Sequence, residues 1–443
     1  MQMLFAKSMS DRLKSRLVHL LAVSLIVMIT SFSPGALIAQ DTLQATERPS
    51  HGPALLIEHS CGQVTAAELA AFKAHLAFQT APPRGDRNVY VYGNPGKLIE
   101  ACGLMLEITD DTLILNKMLE LCDALLASRN DLATASSGGQ RVAWTGNVAP
   151  VWPSNGTDKQ LAGAGIEQGS VCAHLLMASV YILQHPSIWE NVVPSPVARL
   201  NPFGQTYKQR AVTYIQAADK VMEDWILPHF VRKDGLFYFP GAPNTYKPGQ
   251  PAPWNQLFML TNGLIRLSAC HYLLGDAAGK VKRYDRLVSL NIKWFKQNVT
   301  VYKDSRGHTF WKFDYALGRR KEDTNHFAYD VEGMFLAYLG EKYGVTAGDM
   351  QAMANTFFTV VLDTTSAHYR ESGRFAGYVD GTTGTGHAGG DKYIRDEYLY
   401  LLLFKKELLP YLTQIERQSG KIATSPQIVA RLLWVRELLA RGP

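Results

Sequence analysis

The sequence predicts an all-α fold arranged as an α/α toroid, an incomplete barrel of about six to seven helical hairpins with a few short decorating strands. Three observations predict it. Apolar residues recur at helical spacing along most of the 443 residues. The connections between helical segments alternate in length. The helices entered from the long connections are poor in charge, whereas their partners carry a polar stripe.

Helical periodicity marks segments at 64–80, 94–109, 111–128, 166–185, 203–229, 254–274, 279–298, 325–343, 347–362, 391–405, 407–419 and 425–440. Long segments rich in Gly, Pro and aromatic residues precede the helices that start near 166, 254, 325 and 391. Mostly shorter joints precede those near 111, 203, 279, 347 and 407. Successive antiparallel helices put every second connection at the same end, so the long loops gather on one face. GSVCAHLLMASVYIL, LFMLTNGLIRLSACHYLL and YDVEGMFLAYLG read as buried inner helices, and TYKQRAVTYIQAADKVMEDWI and KRYDRLVSLNIKWFKQN as amphipathic outer ones. A plain multi-helix bundle is the alternative, and it does not account for the alternation. Strand-like stretches at 88–93, 236–241 and 308–315 are short pieces decorating loops.

The N-terminus carries Lys7, Arg12, Lys14 and Arg16, an apolar run and then small and turn residues, which is the layout of a secretory signal. The run is short for a membrane span, and no second one follows. The expectation is a signal peptide over 1–39 cleaved near Ala39, then one catalytic domain over 40–443, monomeric and periplasmic or secreted. No cysteine follows the run closely enough for a lipid anchor. A composition of 47% hydrophobic and 19% charged residues is that of an ordinary globular protein. The net charge of +6 falls once the basic leader is removed; the mildly basic remainder suits a polyanionic substrate and disfavours nucleic acid. Cys61, Cys102, Cys122, Cys172 and Cys270 have no metal-ligand spacing and read as small buried hydrophobes, with a Cys102–Cys122 disulfide as the alternative. With no HExxH motif and no compact His/Asp cluster in the sequence, neither a cofactor nor a catalytic metal is expected.

The long loops carry the chemistry. They contribute Trp144, Asn147 and Trp152; Tyr246, Trp254 and Asn255; Trp311, Tyr315, Arg319, Arg320, Asn325 and His326; and Arg370, Arg374, Tyr378, His387, Tyr393 and Arg395. Sugar C–H faces stack on aromatic rings and carboxylates seek guanidinium forks, so this set suits carbohydrate. Within it Asn325-His326 opens a helix, and Arg374 and Tyr378 follow about fifty residues later. Amide, imidazole, guanidinium and phenol are the groups that β-elimination of a uronic acid needs. The C5 proton is weakly acidic, so the adjacent carboxylate must be neutralised, the proton removed and the leaving oxygen protonated. Glu322 or Asp323 stands ready to orient His326. GTTGTGHAGG lacks the strand and GK[ST] of a phosphate loop and reads as a lid over the cleft or as a surface loop. Arg319, Arg320 and Lys321 either grip a polyanion or are solvated surface.

Alternating hairpins, an Asn-His pair opening an inner helix, and an Arg and a Tyr from the loop before the next inner helix resemble the α/α-toroid polysaccharide lyases, especially those acting on alginate or glucuronan. The resemblance implies that Asn325 and Arg374 neutralise the substrate carboxylate, His326 is a base and Tyr378 donates to the glycosidic oxygen. Arg370 competes with Arg374, and Tyr315 or Tyr329 with Tyr378. Asn255 is a second candidate for carboxylate neutralisation, and Trp144, Asn147, Trp254, Arg319, Tyr393 and Arg395 are candidates for substrate contact. The rival readings are a glycoside hydrolase on the same toroid, drawing a carboxylate pair from Glu167, Asp314, Glu322, Asp323, Asp330 and Glu332, a uronyl epimerase, and a non-catalytic carbohydrate-binding protein.

Overall fold

Capping residues set where the helices begin. Thr65, Asp111, Thr206, Asp323 and Thr346 each accept a hydrogen bond from a backbone N–H of the first turn, satisfying donors that a helix leaves unpaired. In a computed structural model, residues 52–81, 94–135, 138–155, 161–194 and 203–441 are described. The signal-like leader and the strand-like stretch at 88–93 lie outside the described residues. Helices α1 (Ala66–Phe78), α2 (Asn94–Thr109), α3 (Thr112–Ala127), α4 (Gln168–Gln184), α5 (Tyr207–Val221) and α6 (Trp254–Leu274) are followed by α7 (Ala278–Gln297), α8 (Thr324–Leu339), α9 (Ala347–Asn355), α10 (Ala367–Ser372), α11 (Leu409–Gln418) and α12 (Pro426–Arg441).

The chain is all-α, as periodicity predicts, and departs from it locally. The segment expected at 203–229 starts at Tyr207 and opens into a π turn over Met222–Ile226, and that expected at 347–362 ends in another over Thr356–Val361. The helix expected at 391–405 is a 3-10 run over Asp396–Phe404, buried along its whole length, so packing on all sides overrides the preference for α geometry. The stretch 236–241 forms only isolated bridges, Val231 with Phe237 and Tyr238 with Pro251. In 308–315, β2 (Thr309–Lys312) pairs antiparallel with β1 (Thr300–Lys303), a partner the alternation did not single out because its side chains are all exposed.

Packing follows the two classes of helix. α2 packs on α4, α4 on α6, α6 on α8, α8 on the 3-10 run, that run on α12, and α12 back on α2. The circuit of contacts closes on itself. α3 lies against α2 and α4, α5 against α4 and α6, α7 against α6, α9 against α8 and the 3-10 run, and α11 against α12. Buried apolar side chains form one contiguous cluster from Leu55 to Val435. α6 is long and apolar enough to cross a membrane by length and composition alone, and here it is largely buried among α4, α7 and α8.

The α4–α6 contact depends on glycine. A Cβ at Gly169 would stand 2.3 Å from Leu260 Cα and 2.4 Å from the Met259 carbonyl, and one at Gly263 would stand 2.7 Å from the Gly169 carbonyl. Gly169→Ala must push two backbones apart and is expected to cost about 1–3 kcal/mol or more, read from the denaturant midpoint. Gly279→Ala, where the added methyl meets nothing within 4 Å, is the control and should leave the midpoint unchanged or raised.

Ion pairs, not only apolar contacts, fill the junctions of this circuit. Arg266 on α6 grips Glu100 on α2 through two hydrogen bonds of 2.5 and 2.7 Å, and His174 on α4 meets the same carboxylate at 2.9 Å. Burial raises the Glu100 pKa, but Arg266 and His174 outweigh it and hold the carboxyl far below the usual range. Arg431 on α12 joins Glu332 (2.6 Å) and Asp396, and Lys97 joins Asp396 (2.8 Å) and Glu397. The cysteines form no disulfide: Cys102, Cys122, Cys172 and Cys270 are buried, with burial pushing the Cys102 and Cys172 thiols up to about 12. Cys61 departs from the expectation and is exposed.

Candidate active site

Three helices, α4, α6 and α8, begin at one cavity of about 670 Å³. Glu167 at the N-cap of α4, Asn255 and Gln256 in the first turn of α6, and Asn325 and His326 in the first turn of α8 line it, with Trp144, Tyr246, Tyr315, Tyr329, His387 and Arg395. The three converging helix starts bring partial positive charge towards it, with the Asp323 carboxylate capping α8 and Glu167 standing at the start of α4. Arg395 adds a guanidinium to the lining.

His326 is oriented from behind. The N-cap residue Asp323 accepts from the His326 backbone N–H at 3.1 Å through Oδ1 and from its ring Nδ1 at 2.8 Å through Oδ2. That network assigns the proton to Nδ1 and leaves Nε2 as an acceptor in the neutral ring. Burial alone would raise the Asp323 pKa; the His326 hydrogen bonds and the nearby Arg320 guanidinium, 3.3 Å away, hold it below its ordinary value.

Tyr315 stands beside the imidazole, ring centroids 4.8 Å apart. A hairpin carries it: Asp314 bridges Lys321, Tyr315 N donates to the Arg320 carbonyl at 2.8 Å, and the Tyr315 carbonyl accepts from Trp254 N at 3.2 Å. Burial, then Tyr246 and Glu322, push its phenol well above the usual tyrosine range, so it remains protonated. Lys247 lies 4.4 Å above the ring, its ammonium lowered to about 8 by burial and by Arg319 and Arg320. Arg395 Nη2 donates to Asn325 Oδ1, so the amide nitrogen of Asn325 is left to donate elsewhere. Across the cavity, Asn255 Oδ1 and Gln256 Oε1 are buried without a partner among the described residues.

Of the residues singled out in the sequence, Trp144, Asn255, Tyr315, Asn325, His326, Tyr329 and Arg395 line the cavity, and Tyr378, Arg374, Arg370, Asn147, Trp254, Arg319 and Tyr393 do not. Tyr378 is close to His326 along the backbone: residue 378 bridges Asp323, and Thr324 N donates to the Gly377 carbonyl at 2.9 Å. Its phenol, however, packs under the 384–388 turn, where a Cβ on Gly384 would lie 2.8 Å from the hydroxyl. That turn offers His387 to the cavity instead, with ring centroids 5.7 Å from His326. Arg374 is exposed and donates to the Gly390 carbonyl at 2.8 Å, tying down the loop. Arg370 is exposed on α10, and Arg319 donates to Gln250 at 2.6 Å. Asn147 belongs to the turn that presents Trp144, its carbonyl accepting from Ala143 N at 2.9 Å. Trp254 is a core residue, 1% exposed and edge-on to Trp294 and Phe295, because one residue along a helix turns a side chain by about 100° from Asn255. Tyr393 is half-buried under Lys421, 4.2 Å from its ring.

Among the carboxylates weighed for hydrolysis, Glu167 lines the cavity and Asp314, Glu322, Asp323, Asp330 and Glu332 do not. Burial raises the Glu167 pKa against a hydrogen bond from Gly165 N at 2.8 Å. The Arg319-Arg320-Lys321 triplet knits loops together, with Lys321 paired to Asp380 at 2.7 Å. The 381–390 loop is held by its own hydrogen bonds, Gly384 N to the Ala388 carbonyl at 2.8 Å among them. Sequence reasoning gave no role to Gln256, whose signal was its place beside Asn255 at a helix start, nor to Asn155 and Asn244, which also line the cavity.

An all-α scaffold thus brings an oriented imidazole, a guanidinium–amide pair and a protonated phenol around one cavity. No family model matches the chain, and no curated protein is significantly similar to it.

One buried carboxyl behind the site should make stability depend on pH. Glu416 on α11 accepts from the Ile394 amide at 2.6 Å, next to Arg395, and burial pushes it up to about 7 despite that bond. An acid with a raised folded-state pKa is more protonated in the folded than in the unfolded chain, so stability falls as pH rises from about 4.5 through 7. Glu416→Gln is expected to match the wild type near pH 5 and to exceed it by up to about 3 kcal/mol at pH 8, measured by denaturant unfolding at both pH values.

Proposed function

We propose that this chain is an α/α-toroid polysaccharide lyase that cleaves a uronic-acid polymer, such as alginate or glucuronan, by β-elimination outside the cytoplasm. The closed circuit of alternate elements supports the toroid. The observation that carries the activity is the pairing, on one cavity, of the Asp323–His326 couple with Asn325 and Arg395 in adjoining positions. The substrate carboxylate sits between the Arg395 guanidinium, the Asn325 amide and the starts of α6 and α8, which stabilise the charge that develops when C5 loses its proton. His326 Nε2 takes that proton. The C5–H pair becomes the C4=C5 double bond, the C4–O bond breaks, and the leaving oxygen takes a proton from the Tyr315 hydroxyl. The imidazolium and the phenolate are restored by proton exchange with solvent. Trp144 offers a stacking face for a sugar ring.

Arg395 and Tyr315 thus take the parts that the resemblance gives to Arg374 and Tyr378. Hydrolysis is less well supported, because Glu167 is the single carboxylate lining the cavity among the described residues and glycoside hydrolysis needs two. Incubation with alginate, glucuronan and related polyuronates, followed by ultraviolet absorbance and reducing ends together, tests the reading. Elimination raises both. Reducing ends without absorbance would replace it with hydrolysis, and neither signal on any polyuronate would remove it.

A further inference from the structure

Behind His326 lies a group of acids that the elimination does not use. Glu322 and Asp330 are fully buried, and none of their four carboxylate oxygens meets a hydrogen-bond donor among the described residues. Asp323, also fully buried, lies between them and the imidazole, and ligand atoms of Glu322, Asp323 and His326 all fall within 4.8 Å of one another. The cation seen in contact with the group is Arg320, 3.3 Å from Asp323, whose side chain is itself largely exposed. Three buried carboxyls thus face one half-solvated guanidinium, too little positive charge for all three to ionise together. Burial and the neighbouring carboxylates push Glu322 and Asp330 well above the usual carboxylate range, so without a cation the group holds protons that a bound cation would displace.

We propose that Glu322, Asp323 and His326 form a site for a divalent transition-metal cation such as Zn²⁺ or Mn²⁺, with Asp330 supplying further negative charge behind it. Two carboxylates and an imidazole are a donor set for these ions, whereas Ca²⁺ takes oxygen ligands throughout. The nitrogen on the carboxylate side of the ring is Nδ1. A cation bound there displaces the Nδ1 proton and leaves the neutral imidazole protonated at Nε2, the tautomer that cannot accept a proton from C5. Metal occupancy therefore silences the base. This last consequence rests on the proposed elimination; the site itself does not.

The test begins with metal-stripped protein dialysed against micromolar Zn²⁺ or Mn²⁺, with bound metal measured by mass spectrometry. Stoichiometric binding is expected, weakened by roughly tenfold or more in Glu322→Gln and in Asp323→Asn, the latter retaining a helix-capping side chain. Circular dichroism checks that both variants fold. A wild type that binds no stoichiometric metal, or variants that bind as tightly as the wild type, would overturn the site. On a polyuronate cleaved by the metal-free enzyme, added Zn²⁺ should suppress the absorbance signal and a chelator should restore it; full activity in the metal-saturated enzyme would overturn the switch. Binding without lyase activity under any condition would leave the site standing and sink the elimination reading instead.

Discussion

His326→Ala is expected to lower the rate of ultraviolet-absorbing product formation by about 10²–10⁴-fold, the range contributed by a positioned general base. The loss should fall on kcat more than on KM, because in the proposed elimination the imidazole acts on the C5 proton while Arg395 and Asn325 hold the carboxylate. Asp323→Asn keeps the helix cap but cannot accept from Nδ1 as a carboxylate does, so it should also lose rate while folding normally. The decisive contrast is between two tyrosines. Tyr315→Phe removes the proposed proton donor and should cost rate on the same scale, whereas Tyr378→Phe, whose phenol packs under the 384–388 turn, should leave kcat close to wild type. Steady-state kinetics on one polyuronate reads all four variants. If Tyr378→Phe is inactive and Tyr315→Phe is active, the assignment of the acid is reversed.

Arg266→Met is expected to destabilise the fold by about 3–5 kcal/mol, the cost of leaving a buried charge without its partner. Glu100 would retain only His174 among its present side-chain partners, in a position where burial already works against ionisation. Chemical denaturation at pH 7 measures the loss. Adding Glu100→Gln to Arg266→Met should recover a substantial part of it, since the orphaned carboxylate goes too. The pair buries charge where an apolar contact would also pack, so a double variant more stable than the wild type would show that α2 and α6 do not depend on this ion pair for stability. A single variant as stable as the wild type would contradict the expected cost of the unpaired carboxylate.

Much of this arrangement is legible in the sequence because helical periodicity and loop length are local properties. The buried sequences of α4, α6 and α8 and the long loops before them point to a shared face, and the first-turn residues Asn255, Asn325 and His326 meet there. Asp323 is legible as the partner of His326 because an N-cap three residues ahead is within reach of the first turn. What escapes is the direction of side chains on irregular backbone. Arg374 and Tyr378 are at the expected sequence distance, but one donates to a loop carbonyl and the other lies beneath the 384–388 turn. The long loops place Arg395 among several arginines, and the bond to Asn325 distinguishes it from its neighbours. Trp254 shows the same limit inside a helix: adjacent letters at a helix start, Trp254 and Asn255, serve the core and the cavity respectively.

The closing contact of the circuit joins distant parts of the chain, with Trp434 on α12 donating to Glu107 on α2 across 327 residues of sequence. Loop-closure entropy must be met before such a contact contributes, so this contact is expected to form late in folding. A ribosome-bound chain that has not yet emitted α12 has α2 still lacking one of its packing partners. The same topology that makes the finished fold cohesive thus delays its completion until α12 is made.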